Sequence, residues 1–139
     1  MDRVRFITHK GKQVLLVDYS NCTRQTLLDI LKERERVTLA QPAGTVLLLV
    51  DLTGAQVSKD VVEEVKKVAV RERDRVKRTA VVGEETQPKV FADSVRTFSV
   101  RDYRPFPTRE AALEWLVQED DQPAKANEKK VGGGGEGQT

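Results

Sequence analysis

A mixed-sheet α/β domain is the fold class that this sequence predicts, and three features of the chain predict it. Residues 4–20, "VRFITHKGKQVLLVDYS", read as two strands around a turn at Gly11, an antiparallel hairpin. Residues 45–52, "TVLLLVDL", are apolar on both faces of a strand, the mark of a central strand covered on two sides. After the hairpin every strand-like run is followed by a helix-like one, so the later strands should run parallel through right-handed crossovers. The order is β-β-α-β-α-β-α-β-α, a sheet flanked by about four helices.

Each element has its own local reason. In "TRQTLLDILKERERV" (23–37), Leu27, Leu28, Ile30 and Leu31 cluster on one broad helical face with charges opposite. Nothing polar breaks either face around Leu48, which places it in the core of the sheet. From Ser58, Val61, Val65, Val68 and Ala69 recur at i, i+4, i+7 and i+8, a second amphipathic helix. "VKRTAVVG" (76–83) is a shorter strand that stops at Gly83. "QPKVFADSVRTF" (87–98) opens on Pro88, suited to a first helical position, and aligns Phe91, Val95 and Phe98. "FSVRDYRPF" (98–106) reads as an edge strand ended by Pro105 and Pro107. "TREAALEWLV" (108–117) offers Thr108 as N-cap and Glu110 in the first turn, with Leu113, Leu116 and Val117 inward and Trp115 beside them.

Composition narrows the function classes. The chain has 139 residues, 38% hydrophobic and 33% charged, which fits one domain with a core able to fold alone. No apolar run approaches the ~20 residues needed to cross a bilayer, so no membrane insertion is expected. "MDRVRFITHK" has no apolar signal core. One cysteine rules out an internal disulfide framework and fits a reducing cytoplasm. With a single His as well, no protein-only metal site is expected, and no cofactor fingerprint is present. The net charge of +2 is too small to imply a nucleic-acid partner. Residues 119–139 are polar and Gly-rich and cannot bury enough surface to offset the entropy of ordering them, so the chain divides into a domain over 1–118 and a disordered tail over 119–139.

The stretches "GKQVLLVDYSN", "VLLLVDLTGAQVSKDVVEEVKK", "TAVVG" and "FPTREAALEWL" together resemble the STAS domain of bacterial anti-sigma-factor antagonists. They are closer still to the short stand-alone proteins called STAS/SEC14-like. The resemblance spans roughly residues 4–117. It implies a small non-enzymatic regulatory or protein-interaction module of a bacterial cytoplasm. In the family's regulatory members a Ser or Thr capping the helix after the third strand is phosphorylated by a partner kinase. This chain departs from that pattern: "DLTG" (51–54) matches the strand-end motif before the switch, and the switch segment itself reads "VSKD" (57–60), without the paired Ser/Thr or the glycine.

Five residues are candidates for binding or phospho-acceptance: Thr53, Ser58, Asp51, Asp18 and Asn21. The N-terminus of the second helix leaves backbone N–H groups that an anion could use, and Ser58 is its natural N-cap, its hydroxyl accepting from a backbone donor. The plain alternative has Ser58 capping, Gly54 turning the chain and Asp51 ending the strand. "VDYSN" (17–21) ends another strand, and ligand crevices of open α/β sheets lie at such ends. If the two strands are neighbours, Asp18 and Asp51 share a rim, where two carboxylates could do acid–base work, bind a cation or only bond loops. Cys22 lacks a neighbouring base, because His9, the one histidine, sits at the hairpin turn. "RERDRVKR" (71–78) reads as a solvated helix end; a patch for an acidic partner or nucleic acid is the alternative, but no interleaved aromatics offer base stacking. "GEET" (83–86) lacks phosphate-loop spacing, and Trp115 and Phe106 read as core and helix staple. The expected partner is another protein; the second reading is a carrier holding a lipid or nucleotide in an apolar crevice.

Overall fold

The computed structural model describes residues 3–83, 85, 87 and 102–118. Strands β1 (Val4–His9) and β2 (Lys12–Asp18) form the hairpin, its two-residue turn made by Lys10 and Gly11, both in the left-handed region. Helix α1 (Arg24–Leu39), strand β3 (Val46–Asp51), helix α2 (Lys59–Glu72) and strand β4 (Val76–Val82) follow. Strand β5 (Asp102–Phe106) and helix α3 (Arg109–Leu116) close the described chain. The sheet order is β1-β2-β3-β4-β5, antiparallel between β1 and β2 and parallel thereafter. Three helices lie among the described residues against the four expected; the one expected from Pro88 falls outside them, as does the expected tail over 119–139. No helix among the described residues is long and apolar enough to cross a membrane.

Strand alternation divides the core into two layers. Leu15, Val17, Leu48, Val50 and Val81 face α1 and α2, meeting Leu27, Ile30, Val61 and Val65. Val14, Leu16, Leu47, Leu49, Ala80 and Val82 face the other way, toward Ala112 and Leu116 of α3. The fully buried β3, with Leu48 1% exposed, is therefore the central strand expected from its two apolar faces. Pro105 lies inside β5 rather than ending it, which an edge strand tolerates because one side needs no ladder donor.

One departure concerns charge. The expectation put the charges of α1 opposite its apolar face, yet Arg34 occurs four residues after Ile30 and is buried. It meets the equally buried Glu72 at the end of α2, donating from Nε to both carboxylate oxygens at 3.2 Å and from a terminal nitrogen at 2.8 Å. Another terminal nitrogen reaches the Tyr19 hydroxyl at 3.4 Å. Burial alone would favour the neutral guanidine, but Glu72 and Tyr19 outweigh it and hold Arg34 more firmly charged than usual. Thus "RERDRVKR" is only partly a solvated helix end: Glu72 is core, and β4 begins at Val76.

Candidate functional site

Asp18 and Asp51 are register partners on the parallel strands β2 and β3, so both carboxylates leave the same rim on the α3 face of the sheet. Beyond them the ladder continues into the loops. Tyr19 N–H donates to the Asp51 carbonyl, Asn21 N–H to that of Thr53 and Leu52 N–H to that of Val82, each at 2.8 Å. Gln56 N–H donates to the Cys22 carbonyl at 2.9 Å, which lays the segment before α2 along the β2–α1 loop. Each aspartate folds its own loop by accepting the N–H two residues on: Ser20 to Asp18 at 2.9 Å and Thr53 to Asp51 at 3.0 Å.

The loops touch so closely that two glycines are required. A Cβ on Gly54 would stand 2.2 Å from the Asn21 side-chain oxygen, and one on Gly83 would stand 2.5 Å from the Thr53 nitrogen. Both have positive φ as well.

The charges at this rim are answered by two arginines. Arg109 Nε donates to Asp51 at 2.8 Å, and its guanidinium lies 3.3 Å from Asp18. Arg3 donates to the carbonyl of Ser20 at 2.9 Å and lies 3.9 Å from the Asp18 carboxylate. For Asp18 the largest single influence, burial, pushes the carboxyl up. The Ser20 hydroxyl and N–H, with Arg109 and Arg3, together pull it below its ordinary value. Neither aspartate stands as an isolated base. Among the described residues no three His, Cys, Asp or Glu side chains gather as a metal site.

The remaining candidates are exposed. Asn21 adopts a positive φ of 56°, and Thr53 follows Asp51 and Leu52 on the neighbouring loop. Ser58 holds the N-cap position of α2 with extended backbone, and its carbonyl accepts from Val62 N–H at 3.0 Å. Its hydroxyl, however, makes no capping bond. It donates instead to the Asp60 carboxylate, which itself takes the Val61 N–H at 3.0 Å. The local competitor explains this difference from expectation: a carboxylate two residues into the helix is the stronger acceptor for the free N–H groups. Arg24, at the start of α1, also binds Asp60, through Nε at 2.6 Å. The Asp60 carboxyl accordingly lies well below its usual range, chiefly through Arg24 and then Ser58.

Cys22 is 3% exposed beside Arg3, and burial pushes its thiol up, away from the reactive thiolate. His9 contacts Glu114 of α3 at 2.8 Å, far from Cys22 in the sequence and at the opposite end of the hairpin. The crevice between the sheet and α1 and α2, lined by Tyr19, Arg34, Thr79, Tyr103 and apolar neighbours, encloses about 30 Å³, room for one or two waters. Sequence reasoning named both aspartates but missed Arg109 and Arg3. A signal for Arg109 was available: a cation at the first position of a helix opposes the dipole and needs an anion nearby.

A five-stranded mixed sheet with this order and these crossovers is a STAS-like, or SpoIIAA-like, fold. A crystal structure of an uncharacterized protein of the DUF3478 family from Shewanella loihica PV-4, described as having a SpoIIAA-like fold, is similar over 82% of this chain and 92% of its own. The TM-score is 0.59 and the sequence identity 17%. No protein-family model matches the chain, and no curated protein matches it.

Proposed function

We propose that the chain is a non-enzymatic regulatory or protein-interaction module of a bacterial cytoplasm, binding another protein through the rim formed by residues 18–22 and 51–62. The observation that carries this reading is the row of exposed polar side chains Asn21, Thr53 and Ser58. They stand on loops held to each other by backbone bonds, beside aspartates already paired with Arg109 and Arg3. A surface that is fixed in shape, polar and nearly neutral in charge suits recognition of a folded partner better than proton transfer. A carrier of lipid or nucleotide would need several hundred Å³ of enclosed space, against the 30 Å³ of the crevice beneath α2.

Native mass spectrometry of the protein isolated from its own host tests the reading. A bound protein is expected, and its recovery should fall several-fold with Asn21→Gly, which keeps the left-handed backbone, or Thr53→Asp, while the melting temperature holds. A retained small molecule would favour the carrier instead. Phosphate on Thr53 or Ser58 would make the rim a covalent switch, and recovery indifferent to both rim substitutions would remove the rim from the interaction.

A further inference from the structure

The outer edge of the sheet is the second place where the molecule presents unfinished bonding. Asp18 N–H donates to the Arg3 carbonyl at 2.8 Å, which fixes the phase of the hairpin: residues 3, 5, 7 and 9 bond to β2. The N–H and C=O groups of Val4, Phe6 and Thr8 therefore point away from the sheet, and among the described residues no strand lies beyond β1. Phe6 is 42% exposed, and a surface depression of about 390 Å³ lies against it, lined also by Gln13, Gln41 and Leu47. An open edge with an exposed aromatic at its centre is a template for another strand.

We propose that the occupant is a second copy of this chain, with the two β1 strands antiparallel about a two-fold axis between their Phe6 residues. The order of side chains along β1 lets the strand pair with its own copy, and it selects one register for doing so. With Phe6 opposite Phe6 of the other copy, Val4 meets Thr8 and Arg5 meets Ile7, so no arginine faces its own image. Arg3 then faces His9, and each brings its own carboxylate, Asp18 and Glu114. Shifting the axis to residue 5 sets Arg5 directly against Arg5, which is destabilising. Shifting it to residue 7 sets Phe6 against Thr8 and Arg5 against His9, losing the aromatic pair. The pairing is isologous and closes at two copies. One six-residue strand covers less than the ~800 Å² per partner of a standard interface, so the dimer belongs to the weak, concentration-dependent class.

Sedimentation equilibrium of the full 139-residue chain, from micromolar to several hundred micromolar, should pass from monomer toward dimer. Phe6→Lys sets like charges opposite each other and should weaken association at least about tenfold. Phe6→Cys tests the register: Cα atoms of a hydrogen-bonded antiparallel pair lie ~5.5 Å apart, within disulfide range, so mild oxidation should link two copies. Val4→Cys places its sulfurs roughly 14 Å apart and should not link. The native Cys22 is buried and stays out of the reaction. A chain that is monomeric throughout, a dimer indifferent to Phe6→Lys, or equal linkage of both cysteine variants would overturn the proposal.

Discussion

Arg109 occupies the first turn of α3, where the helix dipole disfavours a cation, and it is held there by Asp51 and Asp18. Single side chains like this were the least legible part of the chain. Asp18 and Asp51 could each be placed at a strand end from local pattern, and their shared rim followed only once β2 and β3 proved to be neighbours. Their partner Arg109 lies 58 residues beyond Asp51, and no local pattern joins them. Arg34 was misread for a related reason. A charge on an apolar helical face reads as solvated until its counter-charge, Glu72, is known to sit on the neighbouring helix. Ser58 gives the residue-scale prediction. Because Asp60 takes the free N–H group, Ser58→Ala should cost a few tenths of a kcal/mol rather than the ~1 kcal/mol of a lost cap. Thermal melts of the two proteins decide it; a loss of a full kcal/mol or more would mean that the hydroxyl caps in solution.

At the scale of elements the sequence was far more informative. Apolar residues at helical spacing in α2 (Val61, Val65, Val68, Ala69) are all buried, and Thr108 caps α3 by accepting from Ala111 N–H at 3.2 Å, both as expected. How α3 is fastened was not legible, since its anchors come from distant strands. Arg109 holds its start, Glu114 binds His9 and Lys10, and Arg78 donates to the carbonyls of Trp115, Leu116 and Gln118. The fastening at Asp18 has a pH signature. A carboxyl held below its unfolded value of ~3.9 contributes stability that is complete above that value and is lost as pH falls through the lower folded one. Arg109→Gln removes one of the guanidiniums responsible. Denaturant melts followed by the single tryptophan, Trp115, should show a deficit on the order of 1 kcal/mol at pH 7 that shrinks below about pH 4. A deficit of constant size across that range would show that Arg109 acts only through packing.

For the whole molecule, the antiparallel hairpin and the parallel run after it were legible in the local pattern, whereas the neighbour order β1-β2-β3-β4-β5 is given by the structure alone. The continuous apolar run of β3 identified the sheet centre, and Leu48 is the residue on which that assignment can be broken. Leu48→Asp would bury a carboxylate without a partner and should cost well over the ~1 kcal/mol of an average substitution, leaving a largely unfolded chain by circular dichroism.

The buried Arg34–Glu72 pair bears on how this architecture is reached. Either helix docking alone would carry a bare charge into the core, and the loss of one partner from such a pair costs ~3–5 kcal/mol. A half-assembled layer is therefore penalised more heavily than an undocked one. A slip of α1 against α2 by a single residue incurs the same penalty, because the guanidinium and carboxylate no longer meet. The ion pair is thus expected to act less as glue than as a proofreader, favouring the one alignment of α1 and α2 in which both charges are answered.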